Sequence, residues 1–345
     1  MNYNHQKNLS NKQPKYVVLS NFKSFDDVLQ GQQRIVHEYI GTDASIKTCL
    51  KIVRRAISRA DYLVLNIDHK RLYIICAIFF LIAPRPFRHC QLVSVDILLR
   101  PAFSRLEKIT IFLKKLLLSQ VDMFILYFKN WEGYVKIYNI DRKRLAYVPF
   151  KVNSCKYLRE MRKRILQGDY ILCAGATLRD YFTFIDAIRF TGLPALLLLP
   201  GEMKGHVEEL AWYRNGVPDS LRLEFHTDGN ESTYLSFFEN ARILCIPRYG
   251  WDIASTGISA YLCGMALGKC VVISSGPGAE DLLEEDKAAA FFKPENPMEL
   301  GNLLLRLWNN PDQCRQIAEN GIRYSDRLEG EERLLNDILK VLSVR

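Results

Sequence analysis

The chain has 345 residues, 48% apolar and 25% charged, which is enough apolar material for two domains of ordinary size and excludes a low-complexity or disordered polymer. Nine cysteines without a CxxC pair, most of them inside apolar runs (Cys76, Cys173, Cys245, Cys270), exclude a disulfide framework and a zinc site and point to reduced thiols in a cytoplasmic protein. The net charge of +9 is unevenly placed: residues 1–150 hold 24 Lys and Arg against 11 Asp and Glu, and the remainder 23 against 27, so the two halves are expected to meet different partners.

In chain order, residues 1–14 read as a polar flexible tail without the apolar stretch of a signal peptide. YVVLS (Tyr16–Ser20) predicts a strand and residues 24–40 a helix. DYLVLN (61–66) predicts a strand, Leu72–Ala83 a very apolar segment, and QLVSVD (91–96) another strand. A helix follows over 102–119, then strands at 122–128 and 144–148. The second half begins again with DYILCA (169–174), a helix over 179–190, and strands at ALLLLP (195–200), LRLEF (221–225) and 243–246. Helical spacing returns over 297–309, 312–325 and 331–343. Strands alternating with helices define an α/β chain with two Rossmann-like, doubly wound domains, 15–150 and 151–345, whose substrates are expected in the cleft between them.

The segment Ala241–Gly278 carries the most information. ARILCIP reads as a buried strand, STG opens an apolar helix, Gly268 stops it and KCVVIS is the next strand: a βαβ unit with parallel strands. Free N–H groups and the helix dipole at Ser255-Thr256-Gly257 favour a phosphate. The same three residues also suit an ordinary helix cap.

With YILCAGATLRDYFTFIDAI, YLSFFENARILCIP and STGISAYLCGMALGKCVVISSGPGAEDLL in this order, followed by PENPMELGNLLLRLWNNPDQCRQIAENG, the second half resembles the donor-binding domain of a GT-B glycosyltransferase. It is most similar to the retaining family 4, glycosyl transferases group 1. The resemblance covers roughly residues 144–325. It implies that Arg179 is a catalytic cation on the donor diphosphate beside Gly175, and that Thr256, Gly257, Ile258 and Ser259 form a second phosphate cradle. Gly201 and Arg248, at strand ends, would border the nucleotide. Two plainer readings stay open: Arg179 pairs with Asp180 or Asp186, and Arg248 is a solvated loop charge.

The chain also departs from the family pattern. Two glutamates eight apart, one on the donor sugar and one on the nucleotide ribose, correspond here to Ser255 and Cys263, and the basic site after Gly175 is Ala176. Glu280 or Asp281 is then the expected ribose contact, or else catalysis has been lost. In the first half Asp96, with Val95 in the place of a family histidine, is the candidate to orient acceptor or sugar, against a plain turn role. His69, beside Asp68, reads more simply as part of the charged turn DHKR. No DxD motif is present, so neither a metal nor a cofactor is expected beyond the nucleotide-diphospho-sugar co-substrate.

Leu72–Ala83 is too short to span a bilayer. The helix 102–119 aligns Phe103, Leu106, Ile109, Leu113, Leu116 and Leu117 on one side, with Arg105, Lys108, Lys114 and Lys115 mostly opposite and Arg85, Arg88 and Arg100 nearby in sequence. That pattern suits either an anionic membrane surface or a core-facing helix with a solvated basic face. No recognition module for nucleic acid is visible. The expectation is therefore a cytoplasmic, membrane-peripheral, metal-independent hexosyltransferase, using a UDP-sugar and a lipid-linked or polysaccharide acceptor. A nucleotide-sugar epimerase and a non-catalytic nucleotide-binding scaffold are the alternatives.

Overall fold

Runs such as YLVLN, ALLLLP and CVVIS are apolar at nearly every position, so neither face can be left in water, and parallel sheets covered on both sides result. The computed structural model describes residues 16–23, 25, 35–41, 45–66, 70–82, 89–164, 168–205, 207–209, 213 and 216–343. The expected tail, Asp68, His69, Arg85 and Arg88 lie outside the described residues. Backbone packing separates two compact units: residues up to Ile97 with Leu113–Phe124, and Leu98–Phe112 with Ile125–Arg345.

The first six strands are β1 (Tyr16–Ser20), β2 (Ile35–Tyr39), β3 (Tyr62–Asn66), β4 (Gln91–Val95), β5 (Met123–Leu126) and β6 (Leu145–Tyr147). They form one sheet in the order β2-β1-β3-β4-β5-β6. The helix expected over 24–40 is overturned at its end, where Ile35–Tyr39 pairs parallel with β1. IVHEY has two β-branched residues, and strand pairing satisfies them better than a helix. In this part of the chain two helices escaped the sequence reading. In α1 (Ile46–Arg59) the Ser45 hydroxyl caps the Thr48 N–H at 3.2 Å, and Cys49, Ile52, Val53 and Ala56 are buried at helical spacing. The other, α4 (Glu132–Tyr138), buries Tyr134 and Tyr138. The apolar segment forms α2 (Lys70–Ile82), which packs on α1.

The basic amphipathic segment forms α3 (Arg105–Leu118), and its apolar side is not core-facing. Leu118 is the buried residue of this helix, whereas Leu106 is 76%, Phe112 69% and Ile109 61% exposed. Leu113 and Leu116 are exposed beside them, as are Arg105, Lys108 and Lys114. Among the described residues no helix is long and apolar enough to cross a membrane.

The second sheet holds β7 (Tyr170–Ala174), β8 (Ala195–Pro200), β9 (Leu221–His226), β10 (Ala241–Ile246), β11 (Cys270–Ser274) and β12 (Ala290–Phe292). Their order is β12-β11-β10-β7-β8-β9, all pairs parallel. Around it run α5 (Cys155–Arg162), α6 (Tyr181–Thr191), α7 (Glu231–Glu239), α8 (Ile258–Ala266), α9 (Glu280–Leu283), α10 (Pro297–Asn309), α11 (Pro311–Leu328) and α12 (Glu331–Ser343). One core cluster joins the undersides of β7, β8, β10 and β11 to Phe184, Ile188, Leu300 and Leu304. The repeated Asn-Pro pairs start α10 and α11 in the same way: Asn296 caps the Glu299 N–H at 3.1 Å and Asn310 the Gln313 N–H at 3.0 Å, each followed by Pro in the first turn. All nine cysteines are free thiols.

Before β7 the chain passes so close to the start of β10 that a Cβ on Gly168 would lie 2.1 Å from the Asn240 carbonyl oxygen. Backbone cannot yield there as a side-chain tip can. Gly168→Ala is therefore expected to cost about 3 kcal/mol, the upper part of the overpacking range, read as a lowered midpoint in urea with unchanged m-value.

Candidate functional site

The strand order reverses between β7 and β10, and at such a switch point the carboxyl ends of two neighbouring strands are left open to a ligand. Gly175–Arg179 leaves β7 there, and Pro247-Arg248 leaves β10. The two departing segments are joined by a backbone bridge between Arg179 and Arg248, and the Asp180 N–H donates to the Pro247 carbonyl at 3.1 Å.

The first loop is bent by two left-handed residues, Gly175 (φ 101°) and Leu178 (φ 52°). Leucine pays for that conformation in steric strain, of the kind that concentrates at functional sites. The bend turns the Arg179 side chain back over its own loop, where Nε donates to the Ala174 carbonyl at 3.2 Å and Nη1 to the Thr177 carbonyl at 2.9 Å. Tyr181 donates its hydroxyl to the Gly175 carbonyl at 2.8 Å and pins the turn.

Arg179 is only 6% exposed, yet it pairs with neither aspartate considered from the sequence. Asp180 accepts from the Thr183 N–H (3.1 Å) and hydroxyl (2.6 Å) as the cap of α6, and Asp186 holds Arg189. Among the described residues Arg179 has no carboxylate partner, and burial draws its guanidinium below the usual arginine pKa. Its Nη2 makes neither of the loop hydrogen bonds. It lies between two glycines: a Cβ on Gly175 would come within 2.8 Å of it, and one on Gly257 within 3.4 Å.

Gly257 (φ 97°) stands immediately before α8. The reading of Ser255-Thr256-Gly257 as an ordinary cap is overturned, because no side chain caps this helix. The Thr256 hydroxyl donates instead to Asp252, and Ser255 is packed where a Cβ on Gly278 would fall 2.5 Å away. The first N–H groups of α8 thus stand uncapped beside a buried cation, an arrangement suited to an anion. Ile258 is 5% exposed, so its side chain belongs to the core and only its N–H faces the site; Ser259 is exposed.

Arg248 is not a solvated loop charge: at 1% exposure it is among the most buried side chains of the chain. Nη1 donates to the Pro277 carbonyl at 2.7 Å and the Thr256 carbonyl at 3.3 Å, Nη2 to the Ser274 carbonyl at 3.4 Å, and Asp252 Oδ2 lies 3.6 Å from Nη1. The Arg248 N–H donates to Ser274 Oγ at 2.7 Å. One guanidinium therefore ties the loop after β11 to the loop before α8. Asp252, which the sequence reading missed, also accepts the Ala254 N–H at 2.9 Å. Its signal is faint: an aspartate four residues after an arginine in a loop. Tyr249 and Trp251 brace the same loop as a stacked pair 5.1 Å apart.

Gly175, Arg179, Arg248, Thr256 and Gly257 come together at the switch point. Gly201 follows β8, one strand over, and is required there because a Cβ would meet the His226 carbonyl oxygen at 2.7 Å. Glu280 is exposed at the start of α9. Asp281 is occupied, accepting from the N–H groups of Gly278 (2.6 Å), Lys129 (2.7 Å) and Asn130 (2.9 Å). The Cys263 thiol is pushed up to about 12 by burial and secondarily by the carboxylate of Glu231, which itself accepts the Ser154 hydroxyl at 2.7 Å. Asp96 stands on the first sheet, at the end of β4, half-buried with φ 52°. Among the described residues no three His, Cys, Asp or Glu side chains are grouped as a metal site.

Residues 220–324 match the family model described as glycosyl transferases group 1. That stretch contains Arg248, Asp252, Thr256, Gly257 and the whole of α8. In fold the chain is similar to the Anabaena protein HepE, solved in complex with UDP and glucose. The TM-score is 0.66 at 13% identity, over 95% of this chain and 99% of that one. A glycosyltransferase from Rickettsia africae gives a TM-score of 0.61 at 12% identity, covering 95% and 98%. Sucrose-phosphate synthase from Thermosynechococcus elongatus gives 0.64 at 15% identity, covering 86% and 78%. No curated protein matches by sequence. The architecture is the GT-B fold of the glycosyltransferases, and the segment around α8 is similar to group 1 of them.

The two arginines are expected to respond oppositely to removal. Arg248→Met leaves Asp252 buried without its cation and three carbonyls without their donor, and should cost about 3–5 kcal/mol. Arg179→Met removes a desolvated charge that has no carboxylate partner, so chemical denaturation should show stability unchanged or raised.

Proposed function

We propose that the protein transfers a sugar from a nucleotide-diphospho-sugar, with UDP as the nucleotide, to a hydroxyl of a lipid-linked or polysaccharide acceptor. The observation that carries this reading is Arg179: a buried cation without a carboxylate, aimed between two glycines at an uncapped helix N-terminus on the switch point. A diphosphate leaving group gains negative charge as the glycosidic bond breaks. Arg179 Nη2 and the N–H groups of Gly257, Ile258 and Ser259 would stabilise that charge more in the transition state than before it. With the charge met by a guanidinium and a helix, the reaction proceeds without a metal or further cofactor.

Arg248 acts here by holding the loops on which those N–H groups depend, and Gly201 borders the nucleotide. Glu231, whose carboxylate acts on Cys263, is an alternative to Glu280 as the ribose carboxylate, both being exposed. Asp96 would orient the acceptor, and retention follows if the departing phosphate takes the acceptor's proton. Support for UDP comes from the HepE complexes, with UDP alone and with UDP and glucose. The epimerase and scaffold alternatives share the donor site, and turnover separates them: an epimerase acts on the donor without acceptor, and a scaffold not at all.

The exposed apolar side of α3 supports the second half of the proposal, a cytoplasmic enzyme working at an anionic membrane surface. Leu106, Ile109 and Phe112 would enter the acyl boundary while Arg105, Lys108 and Lys114 meet lipid phosphates.

Among UDP, GDP, ADP and CMP, UDP is expected to stabilise the protein by about 2.7 kcal/mol at 100 times its dissociation constant, with the shift lost in Arg179→Ala. Glu231→Gln should weaken UDP more than 2′-deoxy-UDP. No shift with any of the four nucleotides would sink the donor reading. For the membrane, wild type is expected to sediment with phosphatidylglycerol vesicles and not with phosphatidylcholine. A Leu106→Ser, Ile109→Ser, Phe112→Ser triple variant should bind at least tenfold more weakly.

A further inference from the structure

At the other ends of the same strands lies a cavity of about 330 Å³, enclosed by the starts of β10 and β11, the loop before β7 and one side of α11. Four cations line it: Arg162, Arg242, Lys269 and Arg315. Among the described residues no carboxylate does. Two of the four are neutralised from outside the cavity, Arg162 by Asp326 at 3.0 Å and Arg315 by Asp312 at 3.1 Å on the exposed surface.

The other two make no ion pair among the described residues, and their hydrogen bonds go to carbonyls. Lys269, 4% exposed, donates to the Glu239 carbonyl at 2.6 Å, and burial, offset in part by the Glu239 carboxylate, pulls its amine down to about 8. Arg242 donates from Nη2 to the Trp308 carbonyl at 2.7 Å and lies over the Trp308 ring at 4.6 Å, while its Nε is buried without any partner. An ammonium that keeps two further protons and an orphaned guanidinium N–H are expensive to bury. Both costs fall if an oxyanion accepts from them.

We propose that this cavity is a second anion site, taking a small phosphate-bearing molecule held by Lys269 and Arg242 and reached past Arg315. A phosphate offers the several acceptor lone pairs and full charge that the surrounding carbonyls lack, and the volume admits a phosphate with a modest substituent. The donor diphosphate cannot satisfy these groups, since it is assigned to the carboxyl ends of the strands and this cavity opens at the amino ends.

The test uses inorganic phosphate and pyrophosphate, with sodium chloride at matched ionic strength, in thermal-shift and calorimetric titrations. The full-length Arg179→Ala chain is the host, so that binding at the switch point does not contribute. Phosphate-specific stabilisation is expected to persist in that host. It should weaken at least tenfold in Arg315→Glu, a mostly exposed position where folding is not at risk, and likewise in Lys269→Met. Absence of any shift beyond chloride in the Arg179→Ala host would overturn the proposal. So would a shift that survives both further substitutions unchanged.

Discussion

Two guanidinium groups have been taken out of water at one switch point, and of the two carboxylates buried beside them, Asp180 and Asp252, only Asp252 meets a guanidinium. The resulting mismatch in pairing organises the surroundings. Arg248, matched by Asp252 and three carbonyls, behaves as a structural tie. Arg179 has loop carbonyls alone and is the unmatched charge. Burial lowers the pKa of Arg248, and the charge of Arg179 also lowers it. A buried charge of this kind, sitting at a ligand-binding switch point, marks a candidate functional group.

The local backbone is arranged to keep that charge unmatched. Asp180 is the nearest carboxylate in sequence, and the start of α6 takes both of its oxygens. Thr256, which could have capped α8, is turned towards Asp252. The strained Leu178 and the left-handed Gly175 fold the arginine back on its own loop instead of letting it reach solvent. Each of these choices forgoes a stabilising contact of the ordinary kind, and together they leave one cation and one helix end facing the same space.

Much of this architecture was legible in the chain. Apolar runs marked nearly every strand of the second sheet because parallel strands are buried on both faces, and the βαβ unit from ARILCIP to KCVVIS was visible for that reason. Gly257 stood out because it flanked a predicted helix start, and Arg179 through the family resemblance. The burial of Arg248 was not visible, since a loop arginine looks the same whether its carbonyl partners close around it or water does. Asp252 was missed because an aspartate four residues from an arginine in a loop is a faint pattern, and Glu231 because its neighbours come from distant parts of the chain. Short helices such as 132–138 and 155–162 give too few turns for periodicity to show, and Ile35–Tyr39 is an edge strand whose mixed polarity resembles a helix. For the 105–118 helix the pattern showed that one side was apolar, but not whether that side turned inward or outward.

On the membrane-bound reading proposed above, that outward side has a kinetic meaning as well. A soluble catalyst finds an acceptor embedded in a bilayer only through repeated collisions from the bulk, each of which must also be correctly oriented. A protein resting on the surface through one four-turn helix keeps a fixed aspect towards the lipid and searches in two dimensions. Its encounter rate would then depend on how crowded the leaflet is rather than on how dilute the bulk solution is, with lateral diffusion as the clock that limits it.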